Sequence, residues 1–261
     1  MSADTGQRMT ERRVKLAYRR ISKTFQQRGK ALEVLDSIDL DVHESEFVCL
    51  LGPSGCGKST LLNIAGGFEK PTAGTVTIDG DPVHGPSRKR IFVFQEYGIF
   101  PWASVWDNVV LGLRDRPKKE QYEKAQATID LVGLTGFERA YPMELSGGMK
   151  QRVEVARALA VEPDVIFMDE PFGALDSLTR LSMRAELIRI WKAKNPTILF
   201  VTHDVEESVM LADRVVVLSA RPGRIADEVT IDLPHPRDPS NPEFGEIRTR
   251  LFAALGVEAG A

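Results

Sequence analysis

Eight consecutive residues, Gly52-Pro53-Ser54-Gly55-Cys56-Gly57-Lys58-Ser59, carry the most specific chemistry in the chain. They fit the pattern G-x-x-x-x-G-K-[ST], with an apolar strand pattern over 47–51 before it and a helical pattern after it. A bound phosphate needs backbone N–H donors that converge without Cβ obstruction, the positive end of a helix dipole and a mobile cation. The segment supplies all three. Lys58 is expected to reach the β- and γ-phosphates and Ser59 to offer its hydroxyl to Mg²⁺. The pattern implies nucleotide binding and by itself leaves kinases, GTPases and ATPases open.

In a parallel α/β sheet, ligands sit outside the carboxyl ends of the strands, so polar residues that end apolar runs are the next candidates. Three runs end in this way: 91–94 in Gln95, 165–168 in Asp169-Glu170, and 197–202 in His203. Asp169 stands where a carboxylate holds Mg²⁺, and Glu170 beside it is the candidate general base that polarises an attacking water. The competing reading of Asp169-Glu170-Pro171 is a turn at a strand end. For His203 taken alone, a satisfied core or turn histidine is the simpler account.

The elements that must hold these residues follow from hydrophobic period. Short β-rich segments at 15–21, 46–51, 74–78 and 91–94 are separated by Gly, Pro and Asp turn signals, with a helix at 58–65 among them. From 104 to 160 the period is helical, with Val105, Val109, Val110 and Leu113 on one face and Ala125, Ile129 and Val132 on another. Apolar and helical runs then alternate at 165–168, 178–194, 197–201, 205–211 and 215–218, the pattern of a parallel sheet covered on both faces. Pro234, Pro236, Pro239 and Pro242 mark an irregular tail before a short helix near 244–255. The expected organisation is an α/β domain over 14–232 with a helical insert at about 98–160, followed by a Pro-rich tail over 233–261.

Composition narrows the class. With 261 residues, 43% of them hydrophobic and 27% charged, the chain is neither a disulfide-stapled miniature nor disordered. Its 34 Lys plus Arg against 37 Asp plus Glu leave a net charge of −3, so any anion site is local and no nucleic-acid partner is expected. Cys49 and Cys56 read as reduced thiols. The basic run 8–20 reads as a solvated arm leading into the first strand, and no apolar window is long enough for a membrane span.

The octapeptide Leu145-Ser146-Gly147-Gly148-Met149-Lys150-Gln151-Arg152 resembles the signature of ATP-binding-cassette ATPases. With it, Gly52 through Thr60 resembles the Walker A loop and residues 165–170 the Walker B strand with its catalytic glutamate, Glu170. Gln95 resembles the Q-loop glutamine, Ala174-Leu175-Asp176 the D-loop and His203 the switch histidine. The order and separations agree over about residues 15–230. Phe25 takes the place of the aromatic that stacks on adenine, with Tyr18 as a weaker candidate. Met149 and Gly173 depart from the family's common Gln and Ser.

The resemblance implies a P-loop ATPase fold with a mostly parallel sheet, an N-terminal antiparallel β region and an inserted helical subdomain. It implies ATP and Mg²⁺ as ligands, the metal being held by Ser59, Gln95 and Asp169. Two copies pack head to tail, Ser146, Gly147 and Gly148 of one completing the site built by Lys58 of the other, with Asp176 communicating across the dimer. A helix starting near Met149 gives the signature its anion-binding end. The stretch from Phe94 to Trp102, with Asn108, and later Arg221-Pro222-Gly223-Arg224, resembles the branch that energises uptake of nitrate, sulfonates and taurine. Further expected partners are membrane-spanning permease subunits, for which Phe100, Pro101 and Trp102 are candidate contacts, with a core aromatic of the insert as the equal reading of Trp102, and indirectly a solute-binding protein, with the chain on the cytoplasmic face of the cell membrane. The alternative is a soluble cassette ATPase acting on nucleic acid or ribosomes.

Overall fold

The computed structural model describes residues 13–27, 29–95 and 98–257. In chain order the elements are β1 (Val14–Gln27), β2 (Lys30–His43), β3 (Phe47–Leu51), α1 (Lys58–Gly66), β4 (Ala73–Ile78), β5 (Asp81–Pro82), β6 (Arg90–Val93), α2 (Val105–Val110), α3 (Lys118–Leu131), α4 (Gly147–Ala160), β7 (Val165–Asp169), α5 (Ser177–Lys194), β8 (Ile198–Thr202), α6 (Val205–Leu211), β9 (Arg214–Leu218), β10 (Ile225–Thr230) and α7 (Pro242–Ala254). They fall into two compact units, 1–87 with 196–261, and 88–195.

The first unit contains an antiparallel sheet in the order β2-β1-β4-β5. The strand expected at 15–21 is β1, which begins at Val14, runs on to Gln27 and is paired with both β2 and β4. Residues 8–12 lie outside the described residues. Tyr18, the weaker candidate for adenine stacking, is fully buried and donates its hydroxyl to the Leu61 carbonyl at 3.2 Å, so its ring belongs to the core.

The same unit holds the run β10, β9, β3, β8, in which β3 pairs parallel with both β9 and β8, and β10 closes antiparallel on β9. Every residue of β3 and β8 is buried, as continuous apolar runs in a sheet covered on both faces require. Glu46, fully buried before β3, accepts from the Arg214 guanidinium at 2.8 Å and from the His43 N–H at 2.8 Å, fixing the β2-to-β3 turn on β9. The proline-rich segment is anchored. Arg237, 6% exposed, donates to the carbonyls of Leu233, Val209, Ala212 and Ile231, and Phe244 and Leu251 of α7 are fully buried.

In the second unit β6 and β7 pair in parallel, Arg90 opposite Val165 through Val93 opposite Met168. α2, α3 and α5 pack on α4. Buried Asn108 shapes the turn before α2, its amide donating to the carbonyls of Phe100, Ala103 and Ser104 while its carbonyl takes the Phe100 N–H at 2.8 Å. Trp102 on that turn is 75% exposed, so it is no core aromatic of the helical region. Among the described residues no helix is long and apolar enough to cross a membrane.

Candidate functional site

The loop between β3 and α1 is shaped by close packing at its glycines. Gly57 caps α1 at φ +108°, and a Cβ there would lie 2.5 Å from Leu35 of β2. Gly55 also has positive φ, at +76°, whereas Gly52 is glycine for space: a Cβ would come 2.9 Å from the Cys56 sulfur. Cys56 is buried behind the loop, and its N–H donates to the Pro53 carbonyl at 3.3 Å. Pro53, Ser54, Gly55 and Ser59 are exposed and Thr60 half-buried. The Lys58 ammonium, on a residue only 6% exposed, is folded into the loop, donating to the carbonyls of Gly52 at 2.6 Å and Pro53 at 3.0 Å. Those are bonds a phosphate oxygen can replace.

Three further residues of the first unit take defined places. Leu51 lies opposite Thr202 in the β3–β8 register, so Gly52 and His203 leave the same end of adjacent parallel strands. His203 is exposed, and Asp204 after it caps α6 by accepting the Glu207 N–H at 3.0 Å. Phe25, half-buried on β1, lies opposite Leu32, and the Lys23 ammonium sits 4.6 Å from its ring centroid, covering one face by a cation–π contact. β2 connects that ring to the loop, since Leu35, the residue against Gly57, lies opposite Lys23. Sequence reasoning gave Gly223 no place in the site. A Cβ on it would come 2.2 Å from the Cys56 carbonyl oxygen, and its N–H donates to Val34 at 2.8 Å, so the Arg221-Pro222-Gly223-Arg224 turn backs the phosphate loop.

In the second unit the parallel pair β6 and β7 ends with Gln95 two residues beyond Val93 and Asp169-Glu170 just beyond Met168, bringing these three to one end of the pair. Asp169 is half-buried. Glu170 holds φ +47°, a left-handed conformation uncommon for a residue with a Cβ and of the kind that collects at functional sites. Its carbonyl accepts the Gly173 N–H at 3.0 Å. Gly173, where a serine is more common in the family, leaves the room that the Gln95 side chain occupies: a Cβ there would lie 2.8 Å from the amide nitrogen. Asp176 caps α5 by accepting the N–H and hydroxyl of Thr179 at 3.0 and 2.6 Å, bonds that hold its carboxyl below the usual range.

The signature helix starts two residues earlier than its sequence pattern indicated. Ser146 is its N-cap, accepting the Met149 N–H at 3.3 Å, so Gly147 and Gly148 form the first turn of α4. Gly148 is required for space, a Cβ there meeting the Thr179 methyl at 2.9 Å. Ser146 is exposed. First-turn N–H groups have no intrahelical acceptor, so this end can bind an anion.

Residues 35–173 match the family described as ABC transporter. The chain is 50% identical over 248 residues to an uncharacterized ABC transporter ATP-binding protein of Methanocaldococcus jannaschii, covering 94% of this chain and 93% of the relative. It is 43% identical over 234 residues to the aliphatic sulfonates import ATP-binding protein of Bacillus cereus, covering 89% and 92%. Among solved structures it resembles a bacterial ABC transporter cassette in dimeric form, with TM-score 0.71 and 32% identity over 84% of this chain and all of the other. A post-hydrolysis state of that cassette bound to ADP and Pi matches with TM-score 0.70 and 30% identity, over 84% of this chain and all of the other. The structure described as part of a transporter complex, cbiO1 of Clostridium perfringens, matches with TM-score 0.75 and 25% identity over 83% of this chain and 88% of its own. With its phosphate loop, capped signature helix and carboxylates at a strand end, the chain belongs to the ABC transporter ATP-binding proteins and is a cassette ATPase.

Proposed function

We propose that this ATPase powers an importer of a small solute, an anion such as a sulfonate, nitrate or taurine. The observation that carries the reading is the identity of 43% across nearly full length to a sulfonate-import subunit. The partners in this reading are a second copy, arranged head to tail, membrane-spanning permease subunits and, through them, a solute-binding protein. The chain then sits peripherally on the cytoplasmic face of the membrane. The exposed Trp102, on the turn held by Asn108, is the side chain we assign to the permease contact.

In the hydrolytic cycle the Lys58 ammonium leaves the carbonyls of Gly52 and Pro53 for the β- and γ-phosphates. The residues from Gly52 through Thr60 complete the cradle with their backbone N–H groups, Pro53 alone having none to offer, and Phe25 stacks on adenine. Ser59, Gln95 and Asp169 are the residues that would hold Mg²⁺. They fit that ion because each offers an oxygen donor, Ser59 exposed on the first turn of α1 and Asp169 half-buried at the end of β7. When bound, Mg²⁺ neutralises charge on the phosphate oxygens. Glu170 accepts a proton from the attacking water, and His203 donates to the γ-phosphate. Ser146, Gly147 and Gly148 meet the phosphates held by the other copy, and Asp176 links the two copies.

The test is affinity capture of tagged Glu170→Gln from membranes of its own host, with ATP and Mg²⁺, followed by mass spectrometry. A polytopic membrane protein retained with it supports the importer. Recovery of ribosomes or repair proteins alone, with a permease present in the lysate, overturns it in favour of the soluble cassette ATPase.

A further inference from the structure

One buried carboxylate of the second unit has no part in the chemistry above. Glu154, on α4, is completely buried, and its Oε1 accepts the N–H of Gly98 at 3.1 Å and that of Phe94 at 3.5 Å. One turn along the same helix, Arg157 donates to the Gly98 carbonyl at 2.7 Å and lies 5.5 Å over the Phe100 ring. Both backbone polar groups of Gly98, its N–H and its carbonyl, are thus taken by α4. Gly98 is glycine because the approach is close: a Cβ would come 2.8 Å from Glu154 Oε1 and 3.1 Å from Arg157.

Stability does not explain Glu154. Its Oε2 is buried and has no hydrogen-bond partner among the described residues, and its distance to Arg157, 4.0 Å, is long for an ion pair. A buried carboxylate half satisfied costs more than an apolar side chain of similar size. What it contributes is position. The two N–H groups it holds flank Gln95 on either side in sequence, and Gln95 is seated against Gly173 with no room to spare.

We propose that Glu154 and Arg157 are positioning residues for Gln95, holding Phe94 and Gly98 on the helix that Ser146 caps. The idea rests on the reading of Gln95 as a contact to the nucleotide and its metal. One rigid helix then carries the group that meets the partner copy's phosphate at its start and the grip on the Gln95 segment two turns later. α4 is in this sense a connecting rod between two functions that the sequence separates by about fifty residues.

The experiment is a double-mutant cycle on the full chain, measuring kcat and KM for ATP hydrolysis together with the thermal midpoint. Gln95→Ala is expected to lower kcat. Glu154→Ala is expected to lower kcat about tenfold with KM within about twofold, and to add nothing in the Gln95→Ala background, because residues acting as a unit are non-additive. Glu154→Gln, which keeps an acceptor for Gly98, is expected to recover most of the loss. If Glu154→Ala does not fold, Gly98→Ala takes its place in the cycle, since its Cβ pushes the segment off α4 without changing a charge. Unchanged kcat in Gln95→Ala would overturn the reading of Gln95 on which the proposal rests. A slow Gln95→Ala enzyme slowed again by the full factor on adding the second change would overturn the positioning role alone.

Discussion

Two glycine-bearing helix ends dominate the chemistry, and they draw their positive charge from different sources. α1 is capped by Gly57 with no side-chain acceptor, and it carries Lys58 in its own first position, already folded into the loop. α4 is capped by the Ser146 hydroxyl, which occupies one first-turn donor, and has no charged residue before Lys150. The first end therefore offers a full charge plus the helix dipole, while the second offers about half a charge and a hydroxyl. An end of the first kind can hold a polyphosphate by itself. An end of the second kind is suited to completing a site whose ligand is brought to it.

The comparison can be broken or sharpened by four changes. The largest effect is expected from Glu170→Gln, which leaves both ends intact and removes the base: kcat should fall about a thousandfold with ATP affinity retained, read by phosphate release and nucleotide binding. ATP-dependent dimers should then accumulate, visible by light scattering, and near-normal hydrolysis would sink the base assignment.

A second test concerns the body of α4, which buries a carboxylate where α1 has none. Burial pushes the Glu154 carboxyl up to about 7 from 4.5, so between those values the folded state binds more protons than the unfolded one. Stability must fall as pH rises through that window, by up to roughly 3 kcal/mol from this group. Denaturant midpoints of wild type and Glu154→Gln should therefore diverge between pH 4.5 and 7, and parallel curves would refute the assignment.

Next comes Lys58→Ala, which strips the first end of its charge. It should weaken ATP binding by the single chain about a hundredfold, the value of a charge-assisted bond lost, measured by calorimetry. The smallest change is Ser146→Ala. Binding by the single chain should stay within about twofold while hydrolysis falls about tenfold. Equal losses of affinity in the two variants would erase the distinction between the ends.

What was legible in the sequence divides by range. The phosphate loop, the Asp169-Glu170 strand end and the signature are contiguous, so their residue types state their chemistry. β2 escaped, because its pairing with β1 is interrupted by register shifts, with Arg20 and Ser37 at positive φ, and a broken period does not read as a strand. Glu154 and Arg237 escaped for another reason. A charged residue in a helix or a Pro-rich stretch looks solvated until the carbonyls and N–H groups of distant segments close around it. The space kept by Gly173 for Gln95 and by Gly223 for Cys56 is likewise a property of three dimensions.

The Arg237 anchor bears on how this protein is handled at the bench. Its guanidinium occupies the carbonyls of Val209 and Ala212, at the last turn of the helix that follows His203. A shortened version ending before residue 237, designed as a minimal cassette, would leave those oxygens buried with no donor. The Pro-rich stretch is thus a fastener, and a purification handle belongs beyond α7.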